Sequence, residues 1–180
     1  MTLLLGNEAL ARGAIAGGAL DAVELGKAGP ASSGASIAEE EDLDETLFMI
    51  KPDAVLAHKA GVILAEAERA GFEILDLRLV RLAPRDARLF YAVHEGKPFL
   101  DQLVQFMSSG PAIPCRLGRE NAIQTLRDLI GATDPKEAKP GTIRARFAES
   151  KGRNAVHASD SPESARAEIE FFFGHGSARR

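Results

Sequence analysis

The 180-residue chain has no tryptophan, a single tyrosine and a single cysteine, Cys115. One cysteine cannot form an internal disulfide, which excludes a disulfide-stabilised secreted scaffold and favours a reducing compartment. No apolar run approaches the roughly 20 residues that a membrane-spanning helix requires. The N-terminus also lacks the basic start and unbroken apolar block of a secretory signal. These absences predict a cytoplasmic protein without a membrane partner, in which Cys115 is a small core residue.

Basic residues are scarce in the first quarter of the chain. Residues 1–45 hold two basic and nine acidic residues, a net charge of −7, whereas the remainder has a net charge of +3. The first segment is also rich in Ala and Gly. This composition predicts a flexible N-terminal extension over residues 1–44 and a folded domain over residues 45–180. The mildly basic domain suits a small polyanionic ligand and lacks the dense basic stripe of a specific nucleic-acid binder.

Hydrophobic periodicity in the domain predicts alternating strands and helices. Strands are expected over residues 46–50, 72–82, 112–117 and 155–156, and helices over 61–70, 84–94, 98–107, 119–130 and 161–173. Residues 132–152 are punctuated by Pro and Gly and show no clear element, and a connection of this length is uncommon unless it is functional. The order βαββαβ predicts an α+β fold, a ferredoxin-like α/β sandwich with a four-stranded antiparallel sheet and extra helices.

The segment Asn154–Ser161 places His157 before a Ser-Asp-Ser run. Serine and aspartate oxygens cap helices, so the run predicts a helix start, where free N–H groups and the helix dipole favour anions. An imidazole at such a place indicates a nucleophile that accepts a phosphoryl group. A histidine with a purely structural role is the alternative that this short segment alone leaves open.

Six segments together carry a family resemblance. They are Phe-Met-Ile-Lys-Pro-Asp (48–53), Lys-Pro-Phe (97–99), Met-Ser-Ser-Gly-Pro (107–111), Gly-Ala-Thr-Asp-Pro (131–135), Lys-Pro-Gly-Thr-Ile-Arg (139–144) and Gly-Arg-Asn-Ala-Val-His-Ala-Ser-Asp-Ser (152–161). In order and spacing, residues 45–174 resemble the nucleoside diphosphate kinases. The resemblance implies that a γ-phosphoryl group passes from a nucleoside triphosphate to His157 and then to a nucleoside diphosphate, by a ping-pong mechanism.

The resemblance also implies roles for nine further residues. Glu168 would orient the His157 ring and stabilise its developing positive charge, Ser159 would support Glu168, and Tyr91 would lie near the histidine. Arg127, Thr133 and Arg144 would bind the phosphates of the nucleotide, and Asn154 would bind its ribose. Lys51 would bind both the ribose and the transferred phosphoryl group. Phe99 would stack on the base. The residues alone favour a solvated helix surface for Glu168 and a core position for Phe99, and they leave a surface position open for Arg127.

Magnesium is implied as an ion that the nucleotide carries, bridging its phosphate oxygens. No His/Cys/Asp cluster has the spacing of a protein metal site, so no protein metal ligands are expected. His58, His94 and His175 match no catalytic role and are expected at the surface. Members of the family are tetramers or hexamers built on a common dimer, so the resemblance implies a homo-oligomer.

Four positions depart from the family pattern. Ala54 and Ala158 stand where glycine is usual, Ala57 where many members have arginine, and Lys151 where many have an apolar residue against the base. A methyl group at residue 158 could crowd the phosphoryl site, or restrict the backbone if φ is positive there. These departures leave open a second hypothesis, a catalytically weak or silent nucleotide-binding or regulatory module on the same fold.

Overall fold

A computed structural model of the protein describes residues 43–174, all within one structural unit of the chain, Glu40–Arg180. Residues 1–42 of the predicted extension, and His175, lie outside the residues that the structure describes. The strands are β1 (Asp44–Ile50), β2 (Glu73–Leu77), β3 (Val80–Arg81), β4 (Pro111–Arg119) and β5 (Val156–Ala158). The helices are α1 (Pro52–Leu56), α2 (Ala60–Arg69), α3 (Pro84–Phe90), α4 (Leu100–Met107), α5 (Ala122–Ile130), α6 (Ile143–Phe147) and α7 (Pro162–Phe173), with a 3₁₀ turn at Ala92–His94.

The strands form one antiparallel sheet in the order β2-β4-β1-β5. The short strand β3 pairs with the beginning of β4, where Val80 lies opposite Ala112. Helix α2 connects β1 to β2, and α5 and α6 lie between β4 and β5. This is the βαββαβ arrangement of a ferredoxin-like sandwich. The predicted four-stranded antiparallel sheet is therefore confirmed, and β3 is a small addition to it.

The central strand β1 has a core on each of its two faces. Leu47 and Met49 pack with residues of α3, α4 and α7, whereas Phe48 and Ile50 pack with residues of α2 and α5. Successive side chains of a strand point to opposite faces, so a strand covered on both sides needs consecutive apolar residues. Packing on both faces explains the unbroken apolar run at the end of β1. It also holds in place the strand that leads directly into Lys51.

The prediction of one long strand over residues 72–82 is wrong. The segment forms two short strands, and its pairing with β4 shifts register between Ile74 and Asp76. Leu75, Leu77 and Leu79 are exposed in the single chain, 40%, 41% and 69% respectively. The alternating leucines of this segment therefore lie at an edge of the sheet that is solvent-exposed in the single chain.

Several helix limits also differ from the sequence prediction. The helix expected over residues 84–94 ends at Phe90, and the segment 132–152 contains the five-residue helix α6, which is too short to show periodicity. The helix expected from residue 119 begins at Ala122, because β4 extends to Arg119 and Asn121 turns the chain with φ 53°. Among the described helices, none combines the length and apolarity of a membrane crossing.

Candidate active site

One cavity of about 1130 Å³ brings most of the predicted site residues together. Nine of the ten line it: Lys51, Tyr91, Phe99, Arg127, Thr133, Arg144, Asn154, His157 and Glu168. The tenth, Ser159, is buried and contacts Glu168. These residues come from the end of β1, from the α3–α4 and α5–α6 regions, and from β5 and α7. The fold thus gathers side chains that are up to 117 positions apart in sequence, from residue 51 to residue 168.

His157 lies in the middle of β5, opposite Met49 of β1. Its Nε2 is 2.9 Å from Oε1 of Glu168, a residue of α7. The other carboxylate oxygen of Glu168 accepts a hydrogen bond from the Ser159 hydroxyl at 2.6 Å, and Ser159 Oγ accepts one from the N–H group of Leu47 at 3.2 Å. Because an ionised carboxylate only accepts hydrogen bonds, this arrangement places the ring proton on Nε2 and a lone pair on Nδ1.

Aromatic rings hold the imidazole from a second side. Phe90 meets the His157 ring edge to face, with ring centroids 5.4 Å apart, and the Tyr91 ring lies 6.1 Å away. The Tyr91 hydroxyl is buried and has no hydrogen-bond partner among the described residues. Burial, and then the Glu168 carboxylate, raise the pKa of Tyr91 above its ordinary value. The hydroxyl therefore keeps its proton and can donate it to a bound ligand.

Lys51 directly follows β1, at the N-cap of α1, and is 7% exposed. Its ammonium group donates to Oδ1 of Asn154 at 2.7 Å, and the Asn154 amide donates to the carbonyl oxygen of Thr133 at 3.2 Å. Burial, assisted by repulsion from Arg144, lowers the pKa of Lys51 to about 8, against the opposing attraction of Asp53. The site therefore holds an ammonium group whose charge is easily lost and which an anionic ligand would stabilise.

Arg144 in α6 is 9% exposed and is fixed by two backbone carbonyl groups. Its guanidinium group donates to Gly131 at 2.8 Å and to Val156 at 3.0 Å, while its Nε is buried without a partner among the described residues. Burial, and then the nearby Arg127, lower the pKa of Arg144 to about 10. Arg127, in the last turn of α5, and Thr133 are exposed at the cavity wall. Concentrated positive charge with unused donors is what a polyphosphate requires.

The sequence prediction misplaced His94. It was expected at the surface, but it is partly buried and lines the cavity. Its ring stacks on Tyr91, with centroids 6.1 Å apart, and meets Phe99 edge to face at 5.3 Å. Its position three residues after Tyr91, on the same side of a helical turn, was the available signal. His58 is exposed, as expected, and His175 lies outside the described residues.

The expectation that the start of α7 offers free N–H groups to an anion is wrong. The N–H groups of Asp160 and Ser161 donate to the Ser164 hydroxyl, and that of Ser164 donates to the Ser161 hydroxyl. Ser161 and Ser164 thus form a capping box, and Pro162 has no N–H group to offer. The Ser-Asp-Ser run does begin a helix, but the helix acts on His157 through the Glu168 side chain and not through its backbone.

Two alanines that raised doubt about activity fit the fold. Ala158 lies in β5 and lines the cavity, and it is not among the residues with positive φ. Its methyl group therefore imposes no backbone strain. Ala54 is buried in the core between the sheet and α2. Ala57 is exposed at the end of α1, and Lys151 is exposed at the cavity wall.

The described residues offer no group of three or more His, Cys, Asp and Glu side chains that could hold a metal ion. Of the two acidic residues that line the cavity, Asp160 and Glu168, the second is already engaged by His157 and Ser159. These residues fit a cation that takes its ligands from phosphate oxygens and water.

Comparisons with known proteins show the family of this chain. A family model described as nucleoside diphosphate kinase matches residues 44–177. A nucleoside diphosphate kinase of Bordetella avium (strain 197N) is 54% identical over 131 residues, which cover 73% of this chain and 93% of that protein. One of Prosthecochloris aestuarii (strain DSM 271 / SK 413) is 48% identical over 138 residues, covering 77% and 98%. The crystal structure of the Aquifex aeolicus nucleoside diphosphate kinase superimposes with a TM-score of 0.73 at 46% identity and covers 75% of this chain and 98% of its own.

Proposed function

The chain belongs to the nucleoside diphosphate kinase family, enzymes that transfer phosphoryl groups between nucleotides, and from that premise we propose that His157 is the residue that carries the phosphoryl group. The observation that carries this proposal is the hydrogen-bonded series Leu47–Ser159–Glu168–His157 beside a cavity lined by cations. The series fixes one ring nitrogen and leaves the other for chemistry. No other histidine of the described chain has a carboxylate partner of this kind.

In the first half-reaction, Nδ1 of His157 attacks the γ-phosphorus of a nucleoside triphosphate in line with the bridging oxygen. The Nδ1–P bond forms as the bond from phosphorus to that oxygen breaks, and the nucleoside diphosphate leaves with the electron pair. The ring becomes positively charged, and the Glu168 carboxylate, 2.9 Å from Nε2, stabilises it. A second nucleoside diphosphate then takes the phosphoryl group by the reverse steps, which makes the kinetics ping-pong.

Phosphate oxygens are bound by Arg144, Arg127 and Thr133, with Tyr91 and Lys51 nearest the transferred group. Arg144 is held rigid by two carbonyl groups, so it needs no rearrangement when charge develops. The unpartnered Tyr91 hydroxyl is a further donor. Lys51 adds a positive charge that the incoming phosphates stabilise, since they raise the pKa that burial has lowered.

The base stacks on Phe99, a residue that is 48% exposed and lines the cavity. Stacking uses the face that every base has, so it tolerates purines and pyrimidines alike. The ribose is bound by Lys51 and Asn154, which already hold one another at 2.7 Å. Recognition through sugar, phosphates and a ring face supports broad use of nucleotides.

The family uses divalent cations, and we assign Mg²⁺ as the ion that arrives with the nucleotide. When bound, Mg²⁺ neutralises charge on the phosphate oxygens.

We infer a cytoplasmic location, which a single buried thiol at Cys115 favours. We also propose a homo-oligomer, a tetramer or hexamer, in which the exposed leucines of the β2 edge meet a second copy, since such an edge invites strand pairing.

The test is labelling with γ-labelled ATP and Mg²⁺, followed by transfer to an added nucleoside diphosphate. We expect acid-labile, alkali-stable label on the wild type and none on His157→Ala. His58→Asn is the matched control, because His58 is exposed and outside the cavity, and it should label like the wild type. Folded wild type that takes up no label, or His157→Ala that still exchanges phosphoryl groups, would refute the assignment.

A further inference from the structure

Ala155 has an unusual backbone conformation directly between two site residues. Its φ is 65°, a region that residues with a Cβ rarely occupy because the Cβ approaches a carbonyl oxygen. The N–H group of Val156 donates to the carbonyl oxygen of Asn154 at 2.7 Å, which closes a three-residue turn centred on Ala155. Such turns are rare and strained. This turn sets the relative positions of Asn154, on one side, and His157, two residues further along.

Two hydrogen bonds from the β1–α1 connection hold this turn. The N–H group of Lys51 donates to the carbonyl oxygen of Ala155 at 2.8 Å. The N–H group of Ala155 donates to Oδ2 of Asp53 at 3.0 Å. Ala155 is fully buried and Asp53 is 6% exposed, so water cannot replace either bond. Both polar groups of Ala155 are therefore engaged by the segment that also presents the Lys51 ammonium group.

We propose that Asp53 is a positioning residue, whose carboxylate holds the Ala155 turn and thereby places Asn154 and His157 opposite Lys51. The inference rests on the proposed role of His157 and adds a residue that does not itself contact the nucleotide, since Asp53 lies behind the cavity wall and not among its lining residues. The second carboxylate oxygen, Oδ1, is buried without a partner in the described part of the chain. A buried carboxylate with an unused oxygen lowers stability, so a purely stabilising role explains it poorly.

The chain contains a matched control for this arrangement. Asp44, at the start of β1, accepts a hydrogen bond from the N–H group of Asn121 through Oδ2, also at 3.0 Å. Asn121 likewise has a positive φ, 53°. Neither residue lines the nucleotide cavity. Asp44→Ala therefore removes a bond that an aspartate accepts from a residue in the left-handed region, in this case at an exposed position, without touching the segment that carries His157.

The experiment measures the rate of phosphohistidine formation from ATP and Mg²⁺ in a single turnover, with kcat and KM for exchange. We expect Asp53→Ala to slow phosphohistidine formation about 100-fold, the loss typical of a misplaced reacting group, with KM for ATP changed about threefold or less. Asp53→Asn should stay within about fivefold of the wild type, because its amide oxygen can accept the same N–H group. Asp44→Ala should be unchanged.

A second set of variants separates positioning from general stability. Glycine adopts positive φ without strain, so in an Ala155→Gly background the turn depends less on the carboxylate. The loss caused by Asp53→Ala should then shrink to about tenfold. A loss of the same size in both backgrounds would overturn the proposal, as would a folded Asp53→Ala variant with the wild-type rate. Unfolding of Asp53→Ala in both backgrounds would assign Asp53 to overall stability and overturn it too.

The proposed function and this inference fail in different ways. Wild-type protein that forms no phosphohistidine at His157 refutes the function itself. Wild-type protein that is labelled at His157, beside an Asp53→Ala variant labelled equally fast, refutes only the role of Asp53.

Discussion

Replacing Glu168 by glutamine tests the charge of the carboxylate behind His157 with little change in shape. A glutamine oxygen can still accept the Nε2–H bond, now 2.9 Å long, so the ring orientation is kept. What is lost is the negative charge facing the ring as it becomes positive. Its new NH₂ group also cannot accept from the Ser159 hydroxyl, which donates to Oε2 at 2.6 Å, so that hydroxyl must turn away.

The expected effect follows from the strength of charge-assisted hydrogen bonds. Such bonds contribute about 1.5–3 kcal/mol, roughly 1 kcal/mol more than neutral ones, and the charge on the ring is largest at the transition state. With about 1 kcal/mol for the lost charge and about 1 kcal/mol for the Ser159 hydrogen bond that the amide disrupts, the loss of about 2 kcal/mol corresponds to roughly a 30-fold slower formation of phosphohistidine. KM for the nucleoside triphosphate should hardly change, because Glu168 does not bind the phosphates.

The assay is rapid-quench measurement of label transferred from γ-labelled ATP in a single turnover, since the chain has no tryptophan to report the step by fluorescence. Ser159→Ala is the companion variant. It keeps the charge, removes the hydrogen bond to Glu168 and leaves the Leu47 N–H group without this acceptor, and we expect a loss of about fivefold, as for about 1 kcal/mol. A folded Glu168→Gln variant whose rate lies within a factor of two of the wild type would refute the reasoning, as would an effect confined to KM.

Three further predictions follow from the same structure. Because the pKa of Lys51 in the free protein is about 8, kcat/KM should fall above about pH 8 as the ammonium group loses its proton. Bound phosphates raise that pKa, so kcat should fall only at higher pH. A kcat/KM profile that stays flat up to pH 10 would contradict this prediction. Phe99→Ala should raise KM about tenfold for purine and pyrimidine diphosphates alike, and a loss confined to one class of base would argue against simple stacking. Leu77→Glu on the β2 edge should give smaller species than the wild type in sedimentation velocity, while Leu89→Glu, at a more exposed leucine on α3, should not. Equal masses for all three proteins would refute the proposed contact.

The sheet could be predicted because its central strand carries a simple pattern. Double coverage of β1 demands the run Leu47–Ile50, and an apolar run that ends at Lys-Pro is visible in the sequence. The edge of the sheet at β2 was harder to predict. Leu75, Leu77 and Leu79 alternate as a buried face would, yet they are exposed, because a pattern of apolar residues does not reveal whether another element covers them.

The candidate site was predictable where the six family segments contain its residues, and His157, Lys51 and Arg144 do line one cavity. Glu168 shows what the sequence alone cannot predict. The sequence pattern of an acidic residue on a helix surface is the same whether or not that residue faces a histidine on a strand. The distance of 2.9 Å depends on how α7 packs over β5, which is a tertiary property.

The roles of Asp53 and Ala155 were not predictable from local pattern. A positive φ at an alanine contradicts local preference and persists only because distant groups hold it. The two bonds that do so join residues about 100 positions apart, with a separation of 102 between Asp53 and Ala155. The prediction for His94 failed for a related reason, because its ring contacts Phe99, which lies outside the 3₁₀ turn that holds His94.

The most direct test of the account is to locate the phosphoryl group on the ring. Protein labelled with ¹⁵N-histidine, treated with ATP and Mg²⁺ and examined by heteronuclear NMR, distinguishes phosphorylation of Nδ1 from that of Nε2. Because Glu168 holds the proton on Nε2, we expect one phosphoryl group per chain on Nδ1 of His157, removed by any nucleoside diphosphate. A phosphoryl group on Nε2, on another residue, or on none in the folded protein would contradict the mechanism.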